Sequence, residues 1–390
     1  MARTIAVGVD IGTYQIKVVV AEIEGERNHP HVIGMGFAES KGLRHGYIIN
    51  TADAAKSIRQ ALDQAERTSK IKVKRVFVAI GGIGLSSVSS QATVATSRAD
   101  SEISELDVEK VLEVAEQEIA GASIINRKVL HVVPTQYKVD GKVVLGRPIG
   151  MKGAKLEAKA LFITCLTQHV SDVFQAVEEA GVEVEDVLAS PIAASAVTLS
   201  KQQRMAGCVL ANIGSETVSI VVFENNLPVS LEIFPIGSTD ITNDIALGLK
   251  VSLEEAERMK LGNSLDDAFP RKRLEEIVYA RLSDIFELIE AHLRKIGRSG
   301  LLPAGIIITG GGSGLTTIED LAKAALKLPS RIGSVSFGAH LGDTIKDATW
   351  SVAYGLCIIG LTNADYTPAG TKLLHRTSTG IVEWLKQFLP

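Results

Sequence analysis

One pattern occurs twice in this chain, and it limits the fold more than any other feature. Val7-Gly8-Val9-Asp10-Ile11-Gly12-Thr13 runs into Tyr14-Gln15-Ile16-Lys17-Val18-Val19-Val20. Val209-Leu210-Ala211-Asn212-Ile213-Gly214-Ser215 runs into Glu216-Thr217-Val218-Ser219-Ile220-Val221-Val222. With Asp10 set on Asn212, the copies align without a gap. Each reads as a buried strand, a tight polar turn and a second strand rich in β-branched residues, which is a β-hairpin. Two such hairpins this far apart predict two related α/β halves. The length of 390 residues agrees, since it exceeds what one hydrophobic core usually serves.

Both turns suit a phosphate. Gly12 and Gly214 let the backbone approach it closely, with the turn N–H groups pointing at it. Asp10, at a strand end, can hold Mg²⁺ through its water shell. Thr13 and Lys17 add a hydroxyl and a positive charge, and Ser215 and Thr217 occupy the second turn. A third segment, Ala304 to Ser313, is an apolar strand ending in Gly310, Gly311 and Gly312, with a helix expected from about Thr317. Bare glycine backbone at a helix start accepts a flat base or ribose. The three segments predict ATP and Mg²⁺ held in a cleft between the halves.

This order of motifs resembles the actin, sugar-kinase and heat-shock chaperone superfamily, whose fold is a duplicated two-lobe α/β architecture. Within it, Lys41 to Asn50, Val129 to Tyr137, Ile149 to Gly153 with Leu156 to Lys159, and Pro235-Ile236-Gly237 with Thr242 to Ala246 are similar to stretches of the bacterial cell-division FtsA family. The resemblance implies a first lobe of residues 1–83, 166–200 and 335–361. A small α+β subdomain is inserted at 84–165, with an acidic helix from Ser101 to Ile119. The second lobe is 201–334, with an outer part at about 230–300. The resemblance further implies ATP-dependent self-association into filaments and binding of the C-terminal peptide of the tubulin-like polymer FtsZ at that outer part. It also implies contacts of the insert with later division proteins. Glu257 and Lys260 match adenosine-contacting positions of relatives. Their spacing places both on one helix face, where an ordinary surface ion pair is the other reading. Arg271-Lys272-Arg273 reads as a solvated helix start, the alternative being contact with acidic groups of the bound peptide.

The second hairpin departs from the family pattern Asp-x-Gly-Gly-Gly-Thr. Asn212 removes a carboxylate that would help place the metal and an attacking water. Ser215 adds a Cβ, and Glu216 brings a negative charge toward a polyphosphate unless it turns away or meets Mg²⁺. Phosphoryl transfer rests on positioning and charge stabilisation, so the expectation is ATP binding with very slow turnover or none.

After residue 362 the composition turns to linker (362–379), and the chain finishes in a helix expected at 380–390. There Ile381, Val382, Trp384, Leu385, Phe388 and Leu389 share one face. This reads as an in-plane membrane anchor, the alternative being a helix docked on its own core. The N-terminus lacks a signal-peptide pattern and no run is long enough to span a bilayer. The expected location is therefore the cytoplasmic side of the cell membrane, and the resemblance implies the division septum.

Composition trims the alternatives. A net charge of −4 gives no global pull toward nucleic acid. Cys165, Cys208 and Cys357 lie apart in apolar runs, without metal-ligand spacing. A PilM-like adaptor of type IV pilus assembly would share the hairpins, but no membrane helix is expected at its end. A small-molecule kinase would need the carboxylate that Asn212 replaces, and a chaperone would need a substrate domain for which no residues remain.

Overall fold

The computed structural model describes residues 3–24, 27–119, 125–262, 271–335 and 347–362. The linker and the apolar face expected at Ile381, Val382, Trp384, Leu385, Phe388 and Leu389 lie outside the described residues.

Strands β1 (Arg3–Ile11) and β2 (Gln15–Glu24) form the first hairpin, with Asp10 opposite Lys17, and β3 (Arg27–Glu39) extends it. A short ribbon of β4 (Leu43–Arg44) and β5 (Tyr47–Ile48) leads to α1 (Thr51–Ser69), then β6 (Arg75–Ile80) pairs parallel with β1. The inserted unit follows: β7 (Leu85–Ala95), α2 (Glu105–Ile119), β8 (Arg127–Val139), β9 (Lys142–Val144) and β10 (Lys155–Leu166), in sheet order β7-β10-β8-β9. The chain returns through α3 (Thr167–Glu179), β11 (Glu183–Ala189), α4 (Ser190–Thr198) and α5 (Lys201–Ala206).

The second half repeats the first. It contains β12 (Cys208–Ile213), β13 (Val218–Glu224), β14 (Leu227–Phe234), α6 (Ser238–Leu249), α7 (Leu253–Lys260), α8 (Arg271–Lys295), β15 (Ile306–Thr309), α9 (Ile318–Leu326) and β16 (Ser330–Ile332). Helix α10 (Ser351–Thr362) follows. The two five-stranded sheets run β11-β6-β1-β2-β3 and β16-β15-β12-β13-β14, the same order. Asp10 pairs with Ala79 of β6, and Asn212 pairs with Thr309 of β15, at equivalent positions. The duplication seen in the hairpins therefore extends to whole sheets.

Local chemistry explains the layers. The central strands are nearly continuous Val/Ile runs because helices cover both sheet faces. On α1 the inward stripe is mostly alanine, and Ala61 and Ala65 pack directly on Gly36 and Gly34 of β3. Asn50 caps this helix, its side chain accepting from the Asp53 N–H at 3.1 Å. Helix α10 is buried nearly all round, between β1, β2 and β6 on one side and α4 on the other.

The acidic helix starts at Glu105, not at Ser101 as the sequence suggests. Residues 101–103 are tied across to the strand-like segment at Met151–Gly153, through Ile103 N to Met151 O and Gly153 N to Ser101 O. Asp107 then accepts from the Ser97 and Ser104 N–H groups and holds the entry turn. All three cysteines are buried, and burial pushes each thiol up to about 12, so they act as small core hydrophobes.

One buried histidine carries a pH-dependent stability. His131 Nε2 accepts the Ala189 N–H at 3.1 Å, and burial pushes the ring down to about 3. The unfolded chain binds that proton near 6.5, so the stabilisation is whole above 6.5 and is lost as pH falls toward 3. Between pH 7 and 5 this one ring should cost the fold about 2 kcal/mol. His131→Gln, whose carbonyl oxygen can accept the same N–H, should flatten urea-unfolding midpoints over that range. An unchanged slope would contradict the assignment.

Candidate functional site

Strand ends and turns of both halves converge on one cleft of about 410 Å³, within the range of small-molecule sites. Asp10, Gly12, Thr13 and Lys17 line it from the first half. Gly214, Ser215 and Thr217 line it from the second, with Gly310 and Gly311 alongside and Glu257 and Lys260 in the wall. Gly312 does not reach it. Its Cα faces the Ile213 side chain, where any Cβ would collide, so its bareness serves packing. A 3₁₀ turn, Gly311–Gly314, leads from the glycines to α9, which starts at Ile318, next to the Thr317 that the sequence suggests.

The turns of the hairpins are alike in detail. A Cβ at Gly12 would press on the Gln15 carbonyl, and one at Gly214 on the Thr217 carbonyl, three residues on in each case. The second turn is further held by α6, whose Ser238 and Thr239 N–H groups donate to Gly214 O and Ser215 O at 2.9 and 2.8 Å.

On the floor of the cleft Asp10 and Lys17 face each other by cross-strand register. Burial pushes Asp10 up to about 6, opposed by the Lys17 ammonium. Burial pushes Lys17 down, opposed by Asp10 and Asp347. Lys17 Nζ donates to Thr349 O at 3.0 Å and lies 5.3 Å from the Trp350 ring centroid. In the wall, Glu257 and Lys260 pair at 2.7 Å, and Thr242 Oγ1 donates to Glu257 at 2.6 Å while accepting from Lys260 at 2.9 Å. Lys260 is buried and Glu257 half exposed, so this pair faces the cleft rather than open surface.

Glu216 turns away from the cleft. Its carboxylate accepts the His45 N–H, and His45 Nδ1 lies 3.3 Å from Glu216 O. The second hairpin is thereby fastened to the first half at the cleft rim. The same segment donates Gly46 N–H to Thr13 Oγ1 at 3.1 Å. It also crosses the Gly81-Gly82 turn so tightly that a Cβ on Gly46 or Gly82 would strike the other's backbone. Both residues have positive φ, 78° and 76°, a region that costs a side chain.

Several lining residues escaped the sequence reading: Gly81, Gly82, Ser190, Asp347, Thr349 and Ser351. Gly81-Gly82 was discoverable, because it follows β6 as Gly311-Gly312 follows β15. Ser190, Thr349 and Ser351 carry no local signal, because the starts of α4 and α10 reach the cleft through chain topology.

The residues present fit a nucleotide with its metal. The turns offer backbone N–H groups, Lys17 a cation, and Asp10 a carboxylate. Among the described residues no group of three or more His, Cys, Asp or Glu gathers. A single carboxylate with water and phosphate oxygens is how Mg²⁺ is usually held, so the ion would arrive with the nucleotide.

Duplicated sheets, paired hairpins and a cleft between them define the actin-like superfamily fold. Solved structures with this fold include a PilM–PilN type IV pilus biogenesis complex (TM-score 0.67, 18% identity, covering 91% of this chain and 98% of that one). Another is MreB5 of Spiroplasma citri bound to ADP (TM-score 0.52, 13% identity, covering 92% and 96%). At these identities the likeness shows the fold alone. Sequence comparison is more specific. Residues 209–355 match the family model for cell division protein FtsA, and residues 82–164 match the SHS2 domain inserted in FtsA. Cell division protein FtsA of Pseudomonas aeruginosa is 30% identical over 376 residues, covering 91% of this chain and 89% of its own length. The chain belongs to the FtsA family of cell-division proteins.

Proposed function

We propose that this chain binds ATP with Mg²⁺ in the cleft, self-associates into actin-like filaments, and tethers FtsZ filaments to the inner face of the cytoplasmic membrane at the septum. The observation that carries the reading is the convergence of both hairpins, the Gly310-Gly311 turn and the Glu257–Lys260 pair on one cleft floored by Asp10 and Lys17. ADP bound to MreB5 in the same fold supports the ligand class. In this reading Gly12, Thr13, Lys17, Gly214, Ser215 and Thr217 hold phosphates, Asp10 holds the metal's water shell, and Gly310, Gly311, Glu257 and Lys260 hold the adenosine. Bound Mg²⁺ supplies charge neutralisation for the phosphates. FtsZ's C-terminal peptide docks on the outer second half, about residues 230–300. The residue 381–389 face anchors the chain in lipid, and the insert meets later division proteins.

Asn212 makes hydrolysis slow, because no second carboxylate aligns a water from the β12 side. The expected result is ATP binding with turnover near background. A brisk ATPase that survives Asp10→Ala would show that hydrolysis does not run through this cleft. The tether is tested by vesicle flotation of FtsZ with ATP and this protein, full length against a truncation before Gly380. FtsZ should float only with the full chain.

A further inference from the structure

The two ends of the first sheet differ in chemistry. Asp10 and Lys17 mark the cleft end, and the far end is where β6 begins. Helix α1 runs from the cleft side, where Gly42 packs on Asn50, to the far side, where Gly34 packs on Ser69. Five basic residues stand there, Arg67, Lys70, Lys72, Lys74 and Arg75, and all are exposed. Val73 turns into the core between Lys72 and Lys74, so these two project outward on either side of it.

Helix-end electrostatics accounts for part of this. Arg67 and Lys70 close α1, where cations are favoured. It does not account for Lys74, which precedes β6, or Arg75, which opens it; among the described residues Lys72 pairs with Glu66 at 3.0 Å, and Asp63 lines the same surface. The positive stretch is bounded by Glu183, which pairs in register with Arg75, and by Glu185 beyond it. It therefore lies on the α1 side of the far end.

The last described residues of α10 lie toward the same end. Gly360 packs on Phe77, two residues into β6 from Arg75, and Leu361 clusters with Ala6 and Val32. Helix α10 thus ends at the same end of the sheet as Arg75, away from the cleft, on the face opposite α1.

We propose that this basic end is a second membrane contact, selective for anionic lipid, which sets the molecule with its cleft pointing away from the bilayer. The inference rests on the tether reading, since an anchor leaving from this end brings it to the surface. Each basic residue near an anionic bilayer strengthens binding about fivefold, and salt weakens the effect. An anchor without such a contact would leave the body free to rotate about its attachment.

The test is flotation of the full-length protein on neutral phosphatidylcholine vesicles and on vesicles with about 30% phosphatidylglycerol. Wild type should prefer the anionic vesicles, and rising salt should erase the preference. The double charge reversal Lys72→Glu with Lys74→Glu should weaken anionic-vesicle binding at least about 20-fold and leave neutral-vesicle binding unchanged. Lys72→Gln with Lys74→Gln should give an intermediate loss, and unchanged thermal midpoints would show that both variants fold. Wild-type binding by the reversal variant on anionic vesicles would overturn the proposal even if truncation before Gly380 abolishes flotation, and the tether reading would then stand alone. Salt-sensitive binding that survives truncation but not charge reversal would keep the basic contact and sink the tether. No wild-type binding to either vesicle would end both.

Discussion

Replacing Lys17 by Met should weaken ATP binding about 100-fold at pH 7, by loss of one charge-assisted hydrogen bond to a phosphate. The effect has a second part that the cleft floor dictates. Lys17 holds the Asp10 carboxyl down against its own burial, and even so Asp10 sits at about 6. Without the ammonium, Asp10 moves further up and is partly protonated at neutral pH. In the proposed reading, a protonated carboxyl would no longer order the metal's waters. The variant should therefore regain part of its affinity as pH rises above 8, whereas wild type should change little there. Fluorescent-nucleotide titration at several pH values reads both parts. Wild-type affinity in Lys17→Met would place the nucleotide elsewhere.

Gly355→Ala should cost the fold about 3 kcal/mol or more, through overpacking. A Cβ at Gly355 would sit inside the Ala193 carbonyl of α4. On another side of the same helix, Ala353 O already presses on Gly8 of β1. Helix α10 is thus wedged between β1 and α4 and has no direction in which to yield. Glycine-to-alanine exchange gains about 1 kcal/mol of helix propensity, which is too small to offset the collision. The thermal midpoint and soluble yield should both fall. An unperturbed variant would mean that α4 and α10 are not in this contact.

The duplicated hairpins made both halves legible, because a two-residue periodicity and a tight glycine turn are local properties. The glycine turn after β15 was legible for the same reason. The cleft residues of α4 and α10 were not, since Ser190 and Ser351 acquire their place from where distant strands end. The start of α2 was misread because Ser101–Ile103 is held by a strand-like pairing to Met151–Gly153, some fifty residues on. Glu216 could be seen as a misfit among phosphate-facing residues. Its partner, the His45 N–H, could not, because nothing in a linear pattern couples those two positions.

That coupling bears on kinetics. A fastener across the rim ties the second hairpin to the first half before any ligand arrives, so parting the two there must first break the His45–Glu216 hydrogen bond. Any step that parts the two hairpins at the rim should then be slower than it would be without this bond.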